Sequence, residues 1–242
     1  MLLSPSPLRS LLLAMVRPQG ESHGETLSLA EQITLQLAAE IVEGQIPVST
    51  RLTEVAVAQR FKVSRGPVRE ALRMLDSTGL VQWLPRRGAL VTELSSDEVA
   101  DLFDLRAVLF GLGARRFALR RQQADLIALR AHLTQLQLLG ARNDDGATGD
   151  YALAVLECGS AICVAAGIER LTTVVTGLFF RTLRYSRLGL ATAERRRQSV
   201  ANWSALVAQI EAGEGELAEA TARRLVEASR DEAIRALANR EG

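Results

Sequence analysis

The chain has 242 residues, 48% of them apolar, and its 29 basic and 28 acidic residues nearly cancel. That length allows two domains with real cores, and the near-neutral total leaves whole-chain charge silent about a partner. Aromatic residues are only 4% while Leu and Ala dominate, which favours packed helices over a large sheet. With no stretch near the ~20 apolar residues of a membrane span, a soluble cytoplasmic protein with no membrane partner is expected.

Residues 1–25 read as a disordered tail. The run LLLAMV, closed by Arg17 and Pro18, is short of the ~7–15 apolar residues of a secretory signal, and Met15 offers an alternative start. From Leu27 to Glu43, the residues Leu29, Ile33, Leu37 and Ile41 recur every four positions, the mark of an amphipathic helix. Gly44 and Pro47 supply its stop. A second helix follows Thr53, a suitable N-cap, and runs to Phe61.

The next stretch, VSRGPVREALRML from Val63 to Leu75, starts a third helix in an unusual way. Ser64 is a good N-cap, and Pro67 is tolerated in the first turn because the amide it lacks has no intrahelical partner there. Yet the first helical residue is Arg65, a cation at the positive end of the helix dipole, which costs on the order of 0.3–1 kcal/mol unless an anion relieves it. Arg65, Arg69 and Arg73 share one face, and Val68, Ala71, Leu72 and Leu75 share another. Gly66, beside the basic row, permits close approach of another backbone. Between Arg51 and Arg87 there are eight basic residues against three acidic ones, a local patch of the sign that meets phosphate.

After Gly79, the runs LVQWL and ALV flank Pro85-Arg86-Arg87-Gly88, which reads as a β-hairpin with a basic tip. Helix, helix–turn–helix, hairpin is the order of a winged helix–turn–helix module, placed at residues 26–94. The remaining residues, 95–242, read as an all-α bundle. Its six helices span Asp97–Arg121, Ala124–Leu139, Asp150–Ala166, Glu169–Arg187, Ala193–Ala212 and Glu216–Asn239. Cys158 and Cys163, five apart, fall on different helical faces and are expected as buried free thiols. No Ser–His pair, phosphate-cradling loop or metal set is present, and Glu157 and Glu169 stand alone, so an enzyme is not expected.

FKVSRGPVREALRMLDSTGLVQWLPRRGALV resembles the GntR family of bacterial transcription regulators, whose pattern VSRxPVREALxxL precedes a GLV strand and a basic-Gly wing. The resemblance implies DNA contacts at Ser64, Arg65, Gly66, Pro67 and Arg69 and, on the wing, at Arg87 and Gly88. Arg51, Arg73 and Arg86 join them from the charge pattern. One departure is Ser49-Thr50, where the family has Pro-Gly.

DEVADLFDLRAVLFGLGARRFAL and AAGIERL resemble the family's FadR-type branch, whose second part is the ligand-binding FCD domain. Arg106 stands at that domain's usual arginine, with Phe110 for the glutamate that follows. Many such domains hold a divalent metal with an aspartate and three histidines, and alignment puts those positions on Val155, Gly159, Trp203 and Leu225. None of these can ligate, and the chain's two histidines, His23 and His132, cannot rebuild the set. No metal and no other cofactor are therefore expected. A pocket is expected instead, lined by those four residues with Arg106, Arg184 and Tyr185 turned inward, and with Gly159 freeing volume for an apolar acid. Alternatively Trp203 and Leu225 fill the space as ordinary core.

The resemblance implies a regulator, expected to be a ligand-responsive repressor that binds a palindromic double-stranded DNA operator as a homodimer. The competing expectation is a ligand-independent DNA-binding regulator whose bundle serves only dimerisation.

Overall fold

A computed structural model describes residues 27–144 and 146–241; the tail expected over 1–25, with His23, lies outside the described residues. The described chain is mainly helical, with nine α-helices and one three-stranded sheet. It divides into two compact units at Glu93/Leu94.

The first unit opens with α1 (Leu29–Glu43), capped by a reciprocal pair. The Glu31 amide donates to Ser28 Oγ at 3.1 Å, and the Ser28 amide donates to Glu31 Oε2 at 2.7 Å. Gly44, at φ +79°, ends the helix in the left-handed region open to glycine. A two-residue strand β1 (Arg51–Leu52) precedes α2 (Glu54–Phe61), where Thr53 Oγ1 accepts from the Ala56 amide at 3.2 Å. The strand is new relative to the sequence reading. Helix α3 (Arg65–Thr78) ends at Gly79, φ +76°. The wing is β2 (Val81–Leu84) and β3 (Gly88–Val91), antiparallel, with Trp83 opposite Ala89 and Leu84 opposite Gly88. β1 pairs with the outer edge of β3, Arg51 opposite Leu90, giving the order β1-β3-β2.

The core of this unit is built on α3. Val68, Ala71, Leu72 and Leu75 are fully enclosed, with Ile33, Leu37 and Ala38 from α1 and Ala89 and Val91 from β3 also buried. Each buried aliphatic side chain contributes on the order of 1.5–3 kcal/mol. Three of them outweigh the unfavourable placement of Arg65, so packing fixes α3 and leaves its basic face outside.

The second unit is a bundle of α4 (Ser96–Arg120), α5 (Gln123–Gly140), α6 (Ala147–Ala165), α7 (Glu169–Gly189), α8 (Ala193–Ala212) and α9 (Gly215–Glu241). Helix α4 starts on a Ser95–Glu98 capping box and packs against α6, α7, α8 and, most extensively, α9. Its buried face carries Phe103, Arg106, Phe110 and Phe117. Among the described residues only α6 is long and apolar enough to cross a membrane, and it lies mostly buried against α4, α5 and α7. Cys158 and Cys163 are buried, unlinked thiols on α6, and burial pushes the Cys163 thiol up to about 12.

Candidate nucleic-acid interface

Eight of the nine helices carry an acidic residue in the first turn, and α3 carries none. Ser64 has the extended backbone of an N-cap, φ −72° and ψ 164°, but its hydroxyl makes no capping hydrogen bond. That corrects the expectation from residue type. The first-turn amides and Arg65 together make an unneutralised positive end, the geometry that receives an anion. Ser64, Arg65 and Gly66 are exposed and Pro67 is half-buried. A Cβ built on Gly66 would meet nothing within 4 Å, so the surface there is open.

A cleft of about 470 Å³ lies beside this end, lined by Arg51, Arg65, Arg69, Arg86 and Arg87 together with Glu54 and Gly88. Five guanidinium groups thus converge from β1, α3 and the wing loop. The wing reaches the cleft through two positive-φ residues, Arg86 at +63° and Gly88 at +87°. At Gly88 a Cβ would stand 2.2 Å from the Leu52 carbonyl oxygen, so only glycine lets β3 approach the end of β1.

Arg69 is not the free member of a row that the spacing suggested. Its Nε and Nη2 donate to the two carboxylate oxygens of Glu54 at 2.7 and 2.8 Å. The pairing with Arg69, aided by Arg65 and Arg73, holds the Glu54 carboxyl below its ordinary range. Glu54 opens α2, so the helix before α3 orients an arginine on α3. Arg73 turns toward the wing, its guanidinium carbon 5.6 Å from the Trp83 ring centroid, and is not among the cleft lining. Asp76 Oδ1 accepts from the Trp83 amide at 2.8 Å and ties the wing to α3.

Inside the bundle, the four positions aligned with metal ligands do not fit a metal. Val155, Trp203 and Leu225 are buried and carry no ligating atom for it. Gly159 does not free volume as expected, because the Phe179 ring already fills the space: a Cβ there would lie 2.5 Å from Phe179 Cζ. Phe110 bridges this ring and Trp203, with centroid distances of 6.1 and 5.9 Å.

Arg106 is fully buried beside them. Its Nη1 donates to Thr182 Oγ1 at 2.6 Å and to Ser186 Oγ at 3.3 Å. Its guanidinium lies between the Phe103 and Phe179 rings, 4.4 and 4.6 Å from their centroids. Burial brings its pKa down to about 9. Arg106 Nε and Trp203 Nε1 are both buried donors without a hydrogen-bond partner among the described residues.

Arg184 does not join Arg106. It sits two residues from both Thr182 and Ser186, which puts it on the opposite side of α7. Tyr185 is buried, but its hydroxyl accepts from the Leu94 amide at 2.9 Å at the entrance to the bundle. Thr182 and Ser186, the actual partners of Arg106, escaped the sequence reading; their signal is two hydroxyls four apart on one helix.

Two family models match the chain. Residues 29–91 match the model described as bacterial regulatory proteins, gntR family, and residues 101–228, more than half the chain, match the FCD domain. The chain belongs to the GntR family. Among curated relatives, the HTH-type transcriptional regulator of the TAR-I ttuE-ttuC' intergenic region of Agrobacterium vitis is 26% identical over 143 residues, 57% of this chain and 84% of that protein. The gluconate operon transcriptional repressor of Bacillus subtilis is 39% identical over 82 residues, 34% of this chain and only 33% of its own length. A solved structure described as a putative GntR transcriptional regulator, from Rhodococcus sp. RHA1, superposes with a TM-score of 0.71 over 86% of this chain and 98% of that one. At 19% identity that likeness speaks for the fold alone. This GntR protein is therefore a DNA-binding transcriptional regulator and not an enzyme.

Proposed function

We propose that this regulator is a ligand-responsive repressor, working in the cytoplasm, that binds a palindromic operator as a homodimer. Arg65, Arg69 and the open turn Ser64-Gly66-Pro67 enter the major groove, while Arg51, Arg86, Arg87 and Gly88 follow the adjacent backbone and Arg73 steadies the wing. The supporting observation is the convergence of five arginines on one cleft at the uncapped start of α3. Guanidinium groups held in that way suit guanine edges and phosphates. The repressor reading draws on the gluconate operon relative.

The test separates base reading from backbone holding. Arg69→Ala lowers operator affinity by roughly 10–100-fold with little change on random DNA, as for loss of a bidentate base contact worth ~1–3 kcal/mol. Arg86→Gly, which keeps the positive-φ turn, weakens both DNAs alike and reduces the salt slope by about one contact. Equal losses on operator and random DNA for Arg69→Ala, measured by competition titration, would overturn the assignment.

For the effector we infer a small apolar acid. Two buried donors without acceptors, on Arg106 and Trp203, lie in one aromatic cluster and call for an acceptor-rich group. Val155 and Leu225 belong to the same proposed pocket, with Gly159, whose space the Phe179 ring takes, and with Arg184 and Tyr185 outside it. The second reading, a bundle used for dimerisation only, is favoured by the Phe179 ring standing where Gly159 leaves room.

A further inference from the structure

Among the described residues of the first unit, two large apolar side chains are exposed, Leu29 and Val55, each by 43%. Leu29 opens α1 and is not among the cleft lining. Val55 lies on the first turn of α2 and lines the arginine cleft, among five guanidinium groups and the Glu54 carboxylate. A lone apolar side chain on open surface needs no explanation, but one set in a charged cleft does. The position is also unfavourable to the helix itself, because a β-branched residue is a poorer helix former than alanine. The buried face of α2 is made by Val57 and Ala58, one turn further on the other side.

The turn that carries Val55 is held from both sides. Thr53 Oγ1 accepts from the Ala56 amide at 3.2 Å, and Glu54 accepts from Arg69 through both carboxylate oxygens at 2.7 and 2.8 Å. A β-branched side chain on a helix has one strongly preferred rotamer, so Val55 presents its two methyl groups at little entropic cost. It can accept and donate no hydrogen bond, and an apolar group on the floor of a DNA groove has few partners. In the major groove the purine edges and cytosine show only donors and acceptors, whereas thymine alone shows a methyl group. The arginines of the cleft suit acceptor edges and phosphates; Val55 suits that methyl.

We propose that Val55 is a specificity-determining residue of this regulator, packing its methyl groups on the C5-methyl of a thymine next to the base that Arg69 reaches. The adjacency follows from the chain: Val55 is the residue after Glu54, and Glu54 is what grips Arg69. This rests on the groove reading proposed above and adds to it a base chosen by apolar contact, which the guanidinium groups do not select.

The test uses the full chain and a duplex that the wild-type protein selects from a random-sequence pool. Each thymine is exchanged in turn for deoxyuridine, which removes the methyl group and keeps every hydrogen-bonding group of the base. Competition anisotropy is expected to find a thymine whose exchange weakens the wild type roughly fourfold, the factor that burial of one methyl group carries. On Val55→Ala the same exchange costs nothing, and affinity for random DNA is unchanged because no charge is lost. Val55→Ile keeps the sensitivity, and helical circular dichroism is the same for all three proteins. A wild type indifferent to every exchange, or a Val55→Ala variant that loses as much as the wild type at each, overturns the role of Val55. If Arg69→Ala still removes the preference for the selected duplex, the groove reading outlives that result. A wild-type protein that enriches no sequence from the pool overturns both.

Discussion

Arg106 is a guanidinium enclosed by two phenyl rings and two hydroxyls, and its hydrogen bonds among the described residues go to neutral groups. Such a cation weakens the fold that contains it. Unfolded, the group keeps its proton through the ordinary guanidinium range; folded, burial lets it go near 9. Between those values the unfolded chain binds more protons, so stability rises with pH, and below about 9 the full cost of burying the charge is present. Arg106→Met is therefore expected to leave the melting temperature at pH 7 unchanged or to raise it, by up to about 1–4 kcal/mol equivalent, as when buried charges give way to apolar side chains of similar size. On the proposed effector reading, octanoate or benzoate is expected to raise the wild-type melting temperature, by about 2.7 kcal/mol equivalent at a hundred times the dissociation constant, and Arg106→Met is expected to abolish that shift. Scanning calorimetry checks both. A wild type indifferent to every carboxylate tried would leave dimerisation as the bundle's role. At this scale the sequence told which side chains carry charge and not whom they meet. Glu54 and Arg69 are 15 residues apart and Arg106 and Thr182 are 76 apart, separations over which helical spacing says nothing.

Helices were the most legible elements, because a repeat of 3.6 residues sustained over several turns leaves a clear trace. Leu29, Ile33, Leu37 and Ile41 mark α1, and Thr53 and Gly79 mark real boundaries. β1 left no such trace, since two residues have no periodicity and their partners on β3, Leu90 for Arg51 and Ala89 for Leu52, lie far along the chain. Ser64 illustrates the limit of cap reading: residue type and backbone suit a cap, but the hydrogen bond is not made. Gly159 illustrates the limit for cavities, because whether a glycine leaves a hole depends on which ring arrives from another helix. The β1–β3 junction yields its own prediction. Gly88→Ala forces a side chain onto a φ of +87° and against the Leu52 carbonyl, and is expected to cost about 2 kcal/mol of stability. Urea titration followed by Trp83 fluorescence measures it, and DNA affinity falls in step because the wing arginines lose their platform.

On the scale of the molecule, the change from mixed elements to uninterrupted helix after residue 95 lies beside the division of the chain at Glu93/Leu94. If each recognition surface takes one half-site, deleting half of the palindrome is expected to reduce affinity at least 100-fold. It is also expected to halve the slope of log affinity against log salt, each phosphate contributing about −0.9. Fluorescence anisotropy across 50–300 mM salt, on the order of the range where such slopes are linear, reads both quantities. Leu105 and Arg106 are consecutive residues, one exposed on the outside of the bundle and the other enclosed in the aromatic nest. A stiff rod cannot swivel for one of them and stay still for the other. A shift of the guanidinium is therefore felt at once on the outer face of α4, with no relay of intervening contacts needed to carry it.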